Sequence, residues 1–561
     1  MSEAKSMIER AEKIKHKFNN IKENIQDVIY SFKVLDWFIK ENDSNYKDFL
    51  INLTKGILGD IEPIRRQAEK RGEKPAVIWE GGVKSHKELF ERALALAKFL
   101  IKNGVSQKDK IALISPNTPE APEIWLASNL IRAHFIPVNY RLKSQEIKYI
   151  MENSECQIVI YHEEVEEEVK KSGKYKIELE IKESSKEMSS YEKAIEEGLK
   201  SQIRIKIPPA SKSKMIIYTS GTTGKPKGAY RPLKALNAFL FIATAGYEFG
   251  ISKNDRHLVV CPLYHSAPLF FAQLHLTLGA TIIIEKKFRV ERFVKAVSEH
   301  KATTTFVVPY IISEILEHLP EIRKDDLKSL KKVICGGAFL SPHLKKRFTE
   351  EFGPILYEFY GSTETSINSI LKPHDIPKKA ESVGKIYPLT RIKIIDEDGN
   401  ECPPNKVGEI FVKSPFMMRG YYKDEEYTKQ WVKDGFISAG DIGKIDEEGY
   451  LYITDRKKDM IISGGVNIYP AEIESALYEH PAVKLCAVVG VPDEKWGERV
   501  KAFVVLKKGF STTEKELEEF LRSKIAGYKI PREWEFVDEL PITPSGKILK
   551  RELKKIQGKM S

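Results

Sequence analysis

The sequence predicts an α/β fold: a large N-terminal domain of layered α/β subdomains with a small β subdomain, followed by a smaller α+β domain at the C-terminus. Three observations carry this. From about residue 51 helical and strand patterns alternate, as parallel α/β layers require; after about residue 390 short strands are punctuated by turn sequences; from about residue 459 a mixed module runs to the end. With 561 residues and 42% hydrophobic content, the chain can bury several domain-sized cores.

Residues 1–50 read as a helical extension. Apolar or small residues at Met7, Ala11, Ile14, Phe18, Ile21, Ile25, Val28, Phe32, Leu35 and Ile39 recur at alternating steps of four and three, which places one seam on one helix face. Asn42-Asp-Ser-Asn45 ends it. Such a stripe is expected to dock on the body of the protein. A dimerisation or membrane-adaptor arm is the alternative, and Trp37 and Phe38 suit either. Next come a helix near 87–102, a strand at 110–114, a helix near 120–131 and a strand at 135–138. The Lys- and Glu-rich stretch 161–198 is expected to interrupt the alternation and cover the surface. A strand at 213–218 then runs into a loop at a strand end, where α/β folds place ligands. Further on, Asp396-Glu-Asp-Gly399 and Asp446-Glu-Glu-Gly449 are turns of the β subdomain.

That loop is the most informative segment: Thr219, Ser220, Gly221, Thr222, Thr223, Gly224, Lys225, Pro226 and Lys227, flanked by Tyr218 and Gly228. Small residues and hydroxyls let backbone N–H groups and side chains close around phosphate oxygens, and the two lysines add positive charge. The segment is not a Walker A loop, because Lys225 is followed by Pro226 and Thr219, not Gly, stands five positions before Gly224.

Bulk properties exclude several classes. The formal charge of +11 arises from 91 basic and 80 acidic residues that are interspersed, so most of them solvate the surface and no nucleic-acid partner is expected. Anionic substrates fit the excess equally well. Five cysteines, Cys156, Cys261, Cys335, Cys402 and Cys486, show no paired spacing, which suits reduced cytosolic core residues and neither a zinc site nor a disulfide framework. The charged start lacks a signal-peptide core and no run approaches a membrane span, so the expected location is cytoplasmic, with peripheral membrane contact and a homodimer left open.

Five blocks occur in one order: residues 218–228; Gly336-Gly-Ala-Phe-Leu340; Tyr360-Gly-Ser-Thr-Glu364; Ser438-Ala-Gly-Asp-Ile-Gly443 followed by Asp455-Arg-Lys-Lys-Asp459; and Pro541-Ile-Thr-Pro-Ser-Gly-Lys547. In order and spacing they resemble the adenylate-forming superfamily of acyl-CoA synthetases, peptide-synthetase adenylation domains and beetle luciferases, most closely its fatty acyl-CoA synthetases. The resemblance covers nearly everything after residue 50.

It implies a large domain over 51–454, a hinge at 455–458 centred on Lys458, and a mobile C-terminal domain over 459–561. It implies that Thr219 to Lys225 and Lys227 cradle ATP phosphates, that Gly336, Gly337 and Ala338 adjoin the base and the acyl group, and that Tyr360 offers adenine its ring face. Thr363 is placed at the α-phosphate, and Glu364 is the carboxylate that helps hold Mg²⁺. Asp441 is matched to the ribose hydroxyls, Arg456 to ribose and phosphate, and Lys547 to the mobile catalytic lysine. Ser463, Gly464 and Gly465 resemble the loop lining the thiol tunnel. His265 would border the carboxylate. Gly361 belongs to both the nucleotide and the acyl sites, and as the counterpart of a Trp in acetyl-selective members it is expected to leave the acyl pocket open. The apolar run 233–246 would line a longer channel, or else form a buried helix without substrate contact.

The implied activity is an AMP-forming ligase that activates a medium- or long-chain fatty acid with ATP and Mg²⁺ and passes the acyl group to coenzyme A. Three alternatives remain at this stage: an aryl, hydroxy-acid or bile-acid-like CoA ligase; an acyl-AMP ligase loading a carrier protein; and a membrane or protein adaptor with a degenerate nucleotide site. Two departures from the family pattern stand out. Ser438-Ala-Gly-Asp441 replaces Thr-Gly-Asp, and Asp455 stands where many members have Gly. The extension at 1–50 lies outside the shared architecture.

Overall fold

Six buried apolar side chains bring the helix His86–Lys102 and its neighbours into one layer. Leu89, Ala93, Leu96 and Leu100 fall on one face and are buried. Ser85 caps the helix by accepting from the Glu88 N–H at 3.1 Å, and Glu88 and Lys102 complement the two ends of its dipole. The computed structural model describes residues 30–41, 61–183, 187–206, 215–219, 226–231, 235–424, 432–464, 466–493, 495–542 and 548–557. It is a mixed α/β protein with a large N-terminal domain and a smaller C-terminal one.

Two parallel layers build the large domain. The strand Lys110–Ile114 lies between His134–Val138 and Ile158–His162, all parallel. The helix Ala121–Leu130 connects the first pair, as parallel strands require. The second sheet has nine strands. Its central parallel run is Pro75–Trp79, Thr281–Ile284, Arg256–Val259, Thr304–Val307, Lys332–Cys335 and Leu356–Ser362, and antiparallel strands close both edges. Buried on both faces, these strands read as apolar runs.

The stretch 161–198 does not interrupt the alternation. Ile177–Ile181 joins the first sheet parallel to Ile158–His162, with Ile177, Leu179 and Ile181 buried and Glu178 and Glu180 turned away. The helix Ser190–Lys200 then packs Tyr191, Ala194, Ile195 and Gly198 against His86–Lys102. A Cβ at Gly198 would lie 1.9 Å from the Ala95 carbonyl oxygen, so only glycine permits this helix contact. The strand period of two was present, masked by abundant Glu and Lys.

Of the extension, residues 30–41 form a helix that docks on the large domain, and its buried face is rotated from the expected seam. Val34, Phe38 and Ile39 are buried, while Phe32 is 67% exposed and Leu35 only half-buried. Residues 1–29 and 42–50 lie outside the described residues.

The expected β subdomain is present, with Arg391–Ile395, Gly408–Lys413 and Phe436–Ile445 antiparallel and Leu451–Arg456 paired on the last. Both expected turns occur. The Gly399 N–H donates to the Asp396 carbonyl and the Gly449 N–H to the Asp446 carbonyl, each glycine at positive φ. Residues 220–225 stand in the sequence between Ile216–Thr219 and Lys227–Tyr230, antiparallel neighbours in a three-stranded sheet completed by Gly420–Tyr421.

In the C-terminal domain Val483–Asp493 and Gly497–Leu506 form a long hairpin, with helices Pro470–Leu477 and Glu514–Arg522 over one face. It contacts the large domain through Lys484, paired with Glu314 at 3.3 Å and Glu317 at 2.9 Å. At the junction Asp455 accepts from the Arg456 N–H and from the Ala471 N–H at the start of helix Pro470–Leu477. Burial pushes the Asp455 carboxyl up to about 6.

Candidate active site

The turn after strand Leu356–Ser362 is the centre of the site. Ser362 Oγ accepts from the Glu364 and Thr365 N–H groups at 3.1 Å each, folding the chain back into Ser366–Leu371. The fold-back leaves Thr363 and Glu364 at the apex. Thr363 Oγ1 stands 3.2 Å from Ser266 Oγ at the first residue of helix Ser266–Leu278, immediately after His265. Arg231 Nη2 donates to the Thr363 carbonyl at 2.5 Å. Glu364 Oε1 accepts from the Tyr421 hydroxyl at 3.0 Å, and the Glu364 carbonyl accepts from the Met418 N–H at 2.7 Å.

These contacts tie three segments together. Tyr421 is the cross-strand partner of Ala229, and Lys227 Nζ lies 5.7 Å from the Tyr421 ring and 3.4 Å from Asp424. The two ends of the phosphate-loop candidate, Thr219 and Lys227, therefore stand beside the Glu364 turn. Burial pushes the Arg231 guanidinium down to about 10, with Glu364 acting against that, so it keeps its charge at neutral pH.

A second cluster adjoins the first along the same strand. Tyr360 donates from its hydroxyl to Asp441 Oδ2 at 2.6 Å, and Arg456 Nε lies 3.5 Å from Asp441 Oδ1. Asp441 and Arg456 face each other across Phe436–Ile445 and Leu451–Arg456. Burial, then the Asp441 charge, holds the Tyr360 phenol well above its ordinary value. Tyr360 thus presents more than the ring face expected of it: its hydroxyl fixes the Asp441 carboxylate.

Gly336 and Gly337 follow strand Lys332–Cys335 at its C-terminal end, and Ala338 comes next. A Cβ at Gly336 would lie 2.7 Å from the Phe359 ring, and Gly337 has φ +89°, so each position needs glycine for a different reason. Behind them Phe359 packs with Phe249, Phe271 and Phe306.

His265 directly precedes Ser266, the partner of Thr363. Burial pushes its imidazole down to about 4, and its Nε2 is buried without a partner. Ala267 and Phe270, on the following turn, are half-buried, as are Phe239, Leu240 and Ile242 of helix Ala235–Glu248. Phe241 of that helix stacks on Phe270 at 4.5 Å and lies 5.1 Å from Phe416. A Cβ at Gly361 would lie 2.0 Å from the Ser366 carbonyl oxygen, so the hairpin backbone by itself calls for glycine there.

The remaining candidates sit apart or lie outside the described residues. Lys458 is exposed in the turn after Leu451–Arg456. Ser463 and Gly464 have their partners within the C-terminal domain: Ser463 pairs with Gly497, and the Gly464 N–H donates to the Trp496 carbonyl at 2.8 Å. Ser220, Gly221, Thr222, Thr223, Gly224, Lys225, Gly465 and Lys547 lie outside the described residues. Sequence reasoning missed Arg231, Tyr421 and the hydroxyl of Ser266. The first two carry no local signal, since their partners are 132 and 57 residues away.

The arrangement pairs a carboxylate, a guanidinium and hydroxyls with a flanked phosphate-type loop. Comparisons with known proteins agree with it. The family model for AMP-binding enzyme matches residues 64–422, and that for the AMP-binding enzyme C-terminal domain matches 472–547. A feruloyl-CoA synthase of Amycolatopsis sp is 35% identical over 496 residues, 88% of this chain and 98% of that protein. A long-chain-fatty-acid–CoA ligase of Bacillus subtilis (strain 168) is 33% identical over 514 residues, 86% of this chain and 91% of that protein. The crystal structure of ATP-bound MatB from Rhodopseudomonas palustris superposes with a TM-score of 0.78 at 28% identity, covering 89% of this chain and 99% of that one.

Proposed function

The chain belongs to the AMP-binding enzyme family, and we propose that within it the protein joins an apolar carboxylic acid, first a medium- or long-chain fatty acid, to coenzyme A at the expense of ATP. The observation that carries this reading is the Thr363–Glu364 turn, which meets Ser266 on one side and Arg231 and Tyr421 on the other.

The chemistry follows from the groups. One carboxylate oxygen attacks the α-phosphorus of ATP, the bond to the β-phosphate oxygen breaks, and acyl-adenylate and pyrophosphate result. The thiolate of coenzyme A then attacks the acyl carbon, and AMP leaves with the electron pair. No side-chain nucleophile takes part, so the protein's task is positioning and charge stabilisation. Thr363 and Ser266 offer hydroxyls to the α-phosphate, and Asp441, held by Tyr360, accepts from the ribose hydroxyls. Arg231 braces the turn that carries Thr363. Lys547 supplies positive charge where the carboxylate meets the α-phosphate. Lys458 is the hinge about which the C-terminal domain turns, and Ser463, Gly464 and Gly465 then line the path of the thiol.

Mg²⁺ fits this donor set. Tyr421 occupies one oxygen of Glu364, and among the described residues no group of three or more His, Cys, Asp or Glu gathers to hold a metal alone. A single carboxylate completed by ATP phosphates is the usual magnesium arrangement. Bound there, the ion would neutralise phosphate charge.

The acid is read from the apolar wall after His265, where Ala267, Phe270, Phe239 and Leu240 keep part of their surface open. An aryl acid is the second reading. Phe270, on the same helix as Ala267, stacks with Phe241 and offers a flat acid an aromatic surface, and the similarity to a feruloyl-CoA synthase points the same way. AMP release from MgATP across aliphatic acids of rising length and a set of cinnamate-type acids, with product mass determined with and without coenzyme A, tests both. A CoA thioester peaking on medium or long aliphatic acids supports the first reading. A peak on aryl acids selects the second, and acyl-adenylate without thioester indicates a carrier-protein acceptor.

His265 gives a pH prediction. Its folded value, about 4, lies below the ordinary histidine value, so folding loses stability as pH falls from about 6.5 toward that value. Above this window the ring is neutral and able to hydrogen-bond the substrate carboxylate. Between about pH 5.5 and 8, wild type and His265→Gln are expected to share the shape of their kcat/KM profiles for the acid, with the variant lower throughout. An inflection near pH 6.5 confined to wild type would contradict a neutral His265.

A further inference from the structure

Helix Ala235–Glu248 follows the phosphate-loop strands and is gripped on two opposite faces. On the inner face Phe241 stacks on Phe270 and meets Phe416, and Thr244 Oγ1 lies 2.7 Å from the Tyr387 hydroxyl. On the outer face the helix at 30–41 holds it. Phe38 packs edge-on against Phe239 at 4.8 Å, and Trp37 packs edge-on against Tyr247 at 6.2 Å. Tyr30 donates to Glu248 Oε1 at 2.9 Å. Glu41 Oε2 accepts from Ser252 Oγ and from the Lys253 N–H, which fixes the far end of the outer helix.

The closest approach is at Gly246. A Cβ there would lie 2.2 Å from Trp37 Cη2 and 2.8 Å from Cζ3, so the indole occupies the space that a side chain at 246 would need. Phe239 and Gly246, seven residues apart, share one helix face, while Phe241 points to the opposite one. Any outward movement of the helix at Trp37 therefore withdraws Phe241 from Phe270.

From this geometry we infer that Trp37 is a specificity-determining positioning residue: seated against Gly246, it sets the distance between Phe241 and Phe270 and so the size of acid that passes beyond Ala267. The inference rests on the ligase reading above, and it assigns a task to the extension, which the shared family architecture lacks. Trp37 touches no substrate. It acts through the helix whose inner face carries Phe241, and a tightly packed interior transmits such displacement.

The test compares kcat/KM for acid-dependent AMP release with a compact and a bulky acid, in wild type, Trp37→Ala, Trp37→Phe and Phe32→Ala. Phe32 lies on the same outer helix and is exposed, so its variant controls for changes to that helix alone. Trp37→Ala is expected to raise the bulky-to-compact ratio about tenfold, the scale on which pockets discriminate by a few carbon atoms. Trp37→Phe should move it in the same direction by less, Phe32→Ala should leave it unchanged, and KM for ATP should stay constant in all three. Trp37→Phe keeps an aromatic ring in the seat and serves if the alanine variant does not fold. An unchanged ratio in a folded Trp37 variant, or equal loss on both acids, overturns the inference while leaving the ligase reading intact. Absence of AMP release by wild type with every acid overturns the ligase reading and this inference with it.

Discussion

Glu364→Gln is expected to slow acyl-adenylate formation by about a hundredfold or more, the range found when one preorganised charge-stabilising group is removed from a reacting site. The substitution keeps the shape of the side chain and its ability to accept from the Tyr421 hydroxyl, so the turn held by Ser362 should survive. What it removes is negative charge beside Arg231 and the oxygen offered to Mg²⁺. The loss should therefore fall on KM for MgATP and on the adenylation rate together, and raising Mg²⁺ should recover part of it. The check is a titration of acid-dependent pyrophosphate release against MgATP at several magnesium concentrations. A variant with wild-type kinetics would remove Glu364 from the site.

Lys547→Ala carries the second large effect. Adenylation is expected to fall by about a hundredfold to a thousandfold, because the ammonium would stabilise charge that develops only as pyrophosphate leaves. Thioester formation from supplied acyl-adenylate should stay within about tenfold of wild type, since in that step AMP leaves the acyl carbon and no pyrophosphate leaves the α-phosphorus. Single-turnover measurement of each half-reaction separates the two. Equal losses in both would mean that Lys547 supports the domain and not the first chemical step.

Much of the large domain was legible because its signals are local. Lys110–Ile114 is an apolar run between polar boundaries, and the helix His86–Lys102 has its stripe and its cap in adjacent residues. The turns at Gly399 and Gly449 were equally plain, since only a few residues adopt positive φ at low cost. Ile177–Ile181 was hidden because its outward-facing glutamates made a buried edge strand look like a solvated segment. The extension seam was misplaced by part of a helix turn. An apolar stripe specifies a face only when something opposes it, and the opposing surface, Phe239 to Glu248, is about two hundred residues away.

The site shows the same division. Tyr360, Thr363, Glu364 and Asp441 stood out because short motifs place them, yet what each one touches was not readable. The Tyr360–Asp441 hydrogen bond crosses 81 residues and Arg231–Thr363 crosses 132, distances over which sequence pattern carries no register. At Gly361 the motif suggested room for an acyl chain, while the second demand for glycine, the Ser366 carbonyl in the neighbouring strand, was not readable.

On this reading the site converts a carboxylic acid to its adenylate before any thiol is used. Exchange of labelled pyrophosphate into ATP, measured with and without acid and in the absence of coenzyme A, tests it most directly. Exchange that appears only when an apolar acid is added, and falls about a hundredfold or more in Glu364→Gln, is the predicted result. Exchange that is absent with every acid, or that proceeds without one, would contradict it.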